Sequence, residues 1–294
     1  LRGILAAALA GLSLLAGPVL AGPARGDTTA EVASFVQTTQ AARLEALKAL
    51  LDSYGLPYEV RAFDGGRKDQ PAKGYNVIVT LGSGDRDILL TAHYDAKVIG
   101  DGVLVPAVVD NAAAVVALIH AAEALKDQTL GHRLRIVFFD QEELGLLGAK
   151  AYAAGPDGAR ADAVINFDIN GYGDTAFYAT PKDEQLAAAV RVACFAAAQD
   201  CLPFPNYPPS DHLAFRKIGV AETSISILPM REAMQLWLLL NAGQTSGLPD
   251  GFAPRVLSLI HTTEDNMSAI EPQAIERAAR LAVELVKAAD SNRR

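Results

Sequence analysis

The stretch Arg135–Ala149, RIVFFDQEELGLLGA, decides the fold. Its apolar run Ile136–Phe139 reads as a buried strand, and the Gly-rich residues after it read as the start of a helix. Between the two stand adjacent acids, Glu142 and Glu143. Open α/β sheets place their ligand sites outside the carboxyl ends of strands, which is where this pair falls. Neighbouring side chains there point in different directions, so one carboxylate can hold a cation while the other handles a proton. A solvated helix N-terminus, where the helix dipole favours acids, would give the same pattern.

Other segments separate these readings. DILLTAHYDAK is a second apolar strand candidate running into His93 and Asp95. PAVVDNAAAVVALIHAAEAL places Asp110 just before a long Ala-rich helix, and ADAVINFDINGYGD is a third strand candidate ending at Asp168. RVLSLIHTTEDN reads as a fourth, Val256–Ile260, ending at His261. Each acid or histidine has a structural explanation alone: Asp110 as a helix N-cap, Asp168 as a turn former, His261 as a core histidine. Their recurrence at element ends across the chain points to one site.

Two imidazoles and three carboxylates without a thiolate suit zinc, with cobalt or manganese as substitutes. Five ligands exceed what one catalytic ion needs but suit two if one carboxylate bridges. Asp110, set at a helix start, is the expected bridge. His93 and Asp168 then complete one site, and Glu143 and His261 the other, as in a two-metal hydrolase. Asp95, two residues past His93, is placed to orient its imidazole, with strand-end capping as the plainer reading.

The ordered set AHYD, VVDNAAAVVAL, FFDQEELGLLGAKAY, NFDING, PPSDHLAFRKIGV and IHTTEDN resembles the co-catalytic zinc aminopeptidases of the bacterial leucyl aminopeptidase type. Their superfamily also holds glutamate carboxypeptidase, plasma carboxypeptidase and animal glutaminyl cyclases. The resemblance spans about residues 74 to 285. It implies a dizinc site of His93, Asp110, Glu143, Asp168 and His261, with a hydroxide between the ions as nucleophile and Glu142 as general base. It also implies that Tyr207 in NYPPSDH stabilises the oxyanion, although Pro208–Pro209 departs from the bacterial pattern. Asp211 and His212 match a turn supporting the pocket.

The implied activity is release of N-terminal residues from peptides. Glutaminyl cyclisation is the alternative on the same fold. Against it, the animal cyclases carry tryptophan where this chain has Ile260, and an acid where it has Ser210. A non-catalytic ectodomain of this fold would have lost ligands that are retained here, and carboxypeptidase or dipeptidase chemistry is a further possibility.

The chain has 294 residues, half of them hydrophobic, a formal net charge of −8 and a pI near 5.2. Such a composition fits one α/β domain with a large core and gives no reason to expect nucleic acid. The expected fold is a mixed, mainly parallel central sheet flanked by helices on both faces. Residues 1–24 read as a signal peptide cleaved after about Ala21 or Ala24, followed by one peptidase domain, 25–294. Export to the periplasm or medium follows, with no stable membrane anchor. Cys194 and Cys201 are expected to pair as a disulfide, free thiols being the alternative. A helix is expected over about 29–54, and an insertion over about 230–254, whose MQLWLLL is read first as a core helix, then as a lid or a partner contact. His120 and His132, without companion acids nearby, are read as structural.

Overall fold

Apolar runs of strand length alternate with helices, and the strands collect into one eight-stranded sheet. The computed structural model describes residues 25–293 apart from Asp101, so the expected signal peptide lies outside the described residues. In chain order the elements are α1 (Thr28–Ala33), α2 (Gln40–Ser53), β1 (Tyr58–Arg67), β2 (Gln70–Leu81) and β3 (Asp87–His93). A short hairpin follows, β4 (Val98–Ile99) and β5 (Val103–Leu104), then a π-turn (Val108–Ala112) leading into α3 (Ala113–Leu125). Next come β6 (Arg133–Phe139), α4 (Leu147–Ala154), β7 (Ala161–Phe167), β8 (Thr175–Ala179), α5 (Glu184–Ala196) and β9 (Asp200–Phe204). The remainder is α6 (His212–Arg216), β10 (Ala221–Leu228), α7 (Met230–Trp237), α8 (Arg255–Leu259) and α9 (Pro272–Asn292).

The strand order is β1-β2-β6-β3-β7-β10-β8-β9. Its centre, β6-β3-β7-β10, is wholly parallel, while β1–β2, β2–β6 and β10–β8 pair antiparallel. This is the mixed sheet expected from the sequence. Side chains alternate across it. Ile88, Leu90 and Ala92 of β3 face α3, α5 and α9, whereas Leu89 packs toward α4 and α6 on the other side. Helix α3 is apolar nearly all round because it lies between sheet and α9. Among the described residues the one stretch apolar enough to cross a membrane, Val108–Leu125, is this helix, with 83% of its window buried.

Two expected elements form differently. The helix expected over 29–54 breaks between α1 and α2, where Thr39 turns out of the helix and its hydroxyl accepts from the Ala42 amide. Adjacent threonines favour such a cap over a helix interior. The strand expected at Val256–Ile260 is instead helix α8. Val256 and Leu259 are buried while Leu257 and Ser258 are exposed, a three-residue spacing that only a helix gives, and Pro254 sits at its start. A five-residue apolar run does not by itself separate strand from helix. Strands β4, β5 and β9 were not anticipated; they are short and only partly buried.

His120 and His132 do have acidic partners, brought from far along the chain. His120 Nε2 lies 2.6 Å from Glu31 Oε2, and His132 Nδ1 lies 2.9 Å from Asp290 Oδ1. Cys194 and Cys201 form a disulfide, with a Cα separation of 6.2 Å, joining the end of α5 to β9. In the 230–254 segment, Ala233 and Leu236 of α7 enter a core cluster, while Met234 and Leu239 of MQLWLLL are exposed, so only part of that run is core. That cluster also contains Val109, Ile169 and Leu259, next or nearly next to Asp110, Asp168 and His261. Buried Glu232 accepts from the Tyr172 hydroxyl (3.0 Å) and from the Val256 amide, coupling α7 to α8.

Candidate active site

Three parallel strands aim their carboxyl ends at one place. His93 is the last residue of β3, Asp168 follows β7 directly, and the Glu142–Glu143 turn follows β6. Asp110 comes from the π-turn before α3, where its peptide to Asn111 is cis, and His261 follows α8. The ends of β3 and β7 adjoin β6 and β10 in the sheet, so residues up to 168 positions apart meet without long loops.

Two groups of potential ligand atoms result, each with its atoms within 4.8 Å of one another: His93, Asp110 and Asp168, and Asp110, Glu143 and His261. His93 Nε2 is 3.0 Å from Asp110 Oδ1 and 3.4 Å from Asp168 Oδ1. His261 Nε2 is 3.2 Å from Asp110 Oδ2 and 3.2 Å from Glu143 Oε1. Asp110 therefore offers one oxygen to each group. All five residues expected to hold metal are together, and the acid at the predicted bridge is the shared one.

The surroundings support cation binding. Asp168 Oδ1 and Glu143 Oε1 are buried with no hydrogen-bond partner, an arrangement that is costly unless a cation is held there. Burial alone would depress the His93 pKa, but Asp110, Asp168 and Asp95 outweigh it and hold it well above the usual imidazole range. The carboxylates of Asp110 and Glu143, each 3.2 Å from its Nε2, raise His261 to about 10. Asp110 is held below the usual carboxylate range: burial opposes this, and the two histidines prevail. The field that charges both imidazoles is the field a divalent cation would meet. The donor set fits zinc.

Glu142 is half-buried and makes none of the ligand-type contacts. Burial pushes its carboxyl well above the ordinary range, with Asp211, Asp168 and Asp95 adding to the rise and His93 opposing it. Asp95 Oδ1 lies 3.3 Å from His93 Nδ1, as its spacing suggested. It also accepts the backbone N–H groups of Glu142 (3.0 Å) and Glu143 (3.2 Å), so one carboxylate lies against an imidazole and holds the backbone of the acid pair. Tyr207 stands beside Asp168, but its hydroxyl is 2.5 Å from Ser226 Oγ, which in turn donates to the Asp168 carbonyl. Asp211 and His212 are buried behind the site, and burial lowers His212 to about 3, leaving it neutral.

Asp265 is a site-supporting residue that the sequence reading assigned no role. Its carboxylate accepts the N–H groups of Val108 (3.1 Å), Val109 (2.6 Å) and Asp110 (3.0 Å), holding the turn that presents the shared aspartate. It lies within the quoted IHTTEDN, yet nothing in its spacing shows that it reaches back 155 residues. Beneath the site, Asn166 joins Thr91, Ser210 and Ser224 in a buried polar network. Six non-glycine residues have positive φ among the described residues, and five of them, Ala107, Gln141, Leu146, Ile169 and His261, lie at or within three residues of a site residue. Such conformations cost about 1–3 kcal/mol each and gather where function demands an exact placement.

Residues 76–286 match the model of peptidase family M28, and the chain belongs to that family. Among curated proteins no match is found. Solved structures with the same fold include a Zn-dependent exopeptidase from Parabacteroides distasonis, 20% identical, with TM-score 0.67, 88% of this chain and 96% of the other covered. Glutaminyl cyclase from Porphyromonas gingivalis is 18% identical with TM-score 0.68, covering 91% and 99%. A zinc aminopeptidase from Bacillus subtilis is 20% identical with TM-score 0.56 and covers 74% of this chain and 50% of the other, so this chain spans about half of that protein's length.

Proposed function

We propose that this protein is a metal-dependent exopeptidase, an aminopeptidase removing N-terminal residues from peptides with two zinc ions. The observation carrying this reading is the pair of ligand groups sharing Asp110, with the unligated Glu142 beside them. His93, Asp110 and Asp168 would hold one ion; Asp110, Glu143 and His261 would hold the other, and cobalt or manganese could replace zinc. Bound there, divalent ions supply Lewis acidity that polarises the scissile carbonyl and eases deprotonation of water.

The protein's own groups do the rest. Glu142 accepts the proton of the attacking water and returns it to the departing amine, a double role suited to a carboxyl beside the ligand groups but outside them. Asp95 fixes Glu142 through the backbone and His93 through its Nδ1, so base and ligand keep a constant relation. Tyr207 is the expected donor to the developing oxyanion; its position beside Asp168 supports that role once substrate displaces its bond to Ser226. The side chain of His261 is 45% exposed, which leaves an approach for substrate on that side. Export agrees with the disulfide, which persists in oxidising compartments.

Glutaminyl cyclisation is the second reading, favoured by the HYDAK and HTTEDN segments and by the near-complete overlap with a cyclase of similar length. A panel of aminoacyl-nitroanilides assayed beside a glutaminyl-naphthylamide, with and without chelator, separates the two. Chelator-sensitive nitroaniline release without ammonia release from the glutaminyl substrate is the expected result; the reverse pattern would replace the peptidase reading.

A further inference from the structure

The β1–β2 hairpin reaches further than the sheet beside it. Strand β2 pairs with β6 only from Val77, opposite Phe138, to Leu81, opposite Leu134, whereas β1 and β2 stay paired as far as Arg67 opposite Gln70. Because β2 runs antiparallel to β6, the rest of the hairpin projects past the carboxyl end of β6, the end that delivers Glu142 and Glu143. Side chains of the acid turn meet it there in place of a strand. The Tyr75 N–H donates to the Asp140 carboxylate at 2.9 Å. The Gln141 side chain reaches both strands of the hairpin: its Oε1 accepts from the Gly66 N–H (2.7 Å) and its Nε2 donates to the Lys73 carbonyl (3.3 Å).

Gln141 is buried and has φ +58°, a left-handed backbone that favours glycine. Glycine would relieve that strain, but only a side chain carrying both a donor and an acceptor can join an N–H to a C=O. The hairpin is fitted to this amide, since a Cβ added at Gly65 would overlap Gln141 Oε1. The next residue is Glu142, whose N–H is held by Asp95 at 3.0 Å. The backbone at Glu142 is thus fixed from two sides, by Asp95 directly and by the hairpin through Gln141.

We propose that Gln141 is a positioning residue for Glu142, its side-chain amide clamping the acid turn to the projecting β1–β2 hairpin. The clamp sets where the carboxyl of Glu142 stands relative to the attacking water, and its loss slows the chemical step more than it weakens substrate binding. This inference rests on the reading of Glu142 as the base.

Hydrogen exchange on chelator-stripped protein reads the clamp without recourse to activity. In Gln141→Gly, and in Gln141→Met, which keeps the bulk but not the amide, backbone amides over residues 64–75 and 140–148 should exchange at least about tenfold faster, with the central strands unchanged. Zinc content should be unaffected, while kcat on an aminoacyl-nitroanilide falls at least about tenfold and KM stays within about twofold. Gly65→Ala, which displaces the amide while leaving Gln141 in place, should lower kcat in the same way and have no further effect when added to Gln141→Gly. Unchanged exchange at the turn, or kcat within about threefold in either Gln141 variant, would overturn the proposal, as would additive losses in the double variant. Loss of zinc from the Gln141 variants would overturn it too, by making the residue a support of the ligands instead of the base. Absence of chelator-sensitive hydrolysis in the unaltered protein would remove the peptidase reading itself, and the exchange result would still decide whether the clamp exists.

Discussion

Glu142 and Glu143 are adjacent in the chain and opposite in environment. Glu143 faces His261 and Lys97, both cationic partners, whereas Glu142 is set among Asp95, Asp168 and Asp211. The division of labour proposed for them follows from these neighbours. Glu142→Gln should therefore keep full metal content by elemental analysis while lowering kcat about 10²–10⁴-fold, and wild-type turnover in that variant would refute its role as base. Asp265 acts through the backbone. Its loss frees three buried N–H groups at the turn carrying Asp110, so Asp265→Ala should cost about 2–4 kcal/mol in denaturant unfolding and weaken zinc binding as well. Unchanged stability would show that the turn holds itself.

The elements carry a second electrostatic feature, at the junction of α1, α2 and α3. Glu31 is fully buried and meets the Tyr54 hydroxyl at 2.6 Å, the Gly26 amide at 2.8 Å and His120 at 2.6 Å. Burial works against both charges, but the hydrogen bonds win: Glu31 is lowered and His120 is raised from their ordinary values. The raised histidine contributes stability fully present below its unfolded value of 6.5 and lost as pH rises through its folded value. The lowered acid contributes stability present above 4.5 and lost as pH falls through its folded value. The Tm difference between the unaltered protein and His120→Gln should accordingly be greatest between pH 4.5 and 6.5 and shrink at higher pH. A difference independent of pH would mean that packing alone accounts for it.

These same elements show what the chain discloses locally. The apolar runs at Ile88–His93, Ile136–Phe139 and Ala161–Phe167 announce buried parallel strands, and each is bounded by the polar residue that ends it. His93, Asp168 and the Glu142–Glu143 pair were legible because each stands at such a boundary, and Asp110 because it precedes a long apolar helix; His261 was found beside an apolar run that proved helical. What stayed hidden depends on long-range placement. Val256–Ile260 buries Val256 and Leu259 in the cluster that α7 also enters instead of pairing with a strand, and that one-sided packing is helical. Glu31 and Asp290 find their histidines only after α1 and α9 have packed, and no periodicity signals that. Lys97 and Asp265 likewise gain their meaning from folding, as neighbours of Glu143 and Asp110.

For the whole molecule, the sheet is the device that brings distant acids together, and the two faces of helices are what keep it rigid. A cation binding only the folded chain must stabilise it by mass action. Refilling stripped protein with zinc at about a hundredfold excess over Kd should add about 2.7 kcal/mol for each site filled. For a chain of this size that is a rise of roughly 5–10 °C in Tm per site. Chelation should abolish peptide hydrolysis, and zinc or cobalt should restore it; activity that survives complete stripping would contradict a metal-dependent mechanism. The family match over residues 76–286 makes the fold secure, while the chemistry rests on the five convergent side chains and Glu142.

The most direct test is an anomalous difference map from zinc-loaded crystals, recorded on both sides of the zinc absorption edge. Two peaks are expected, one among His93, Asp110 and Asp168 and one among Asp110, Glu143 and His261, about 3.5–4 Å apart with Asp110 between them. Zinc bound elsewhere, or no peak at Asp110, would contradict the account.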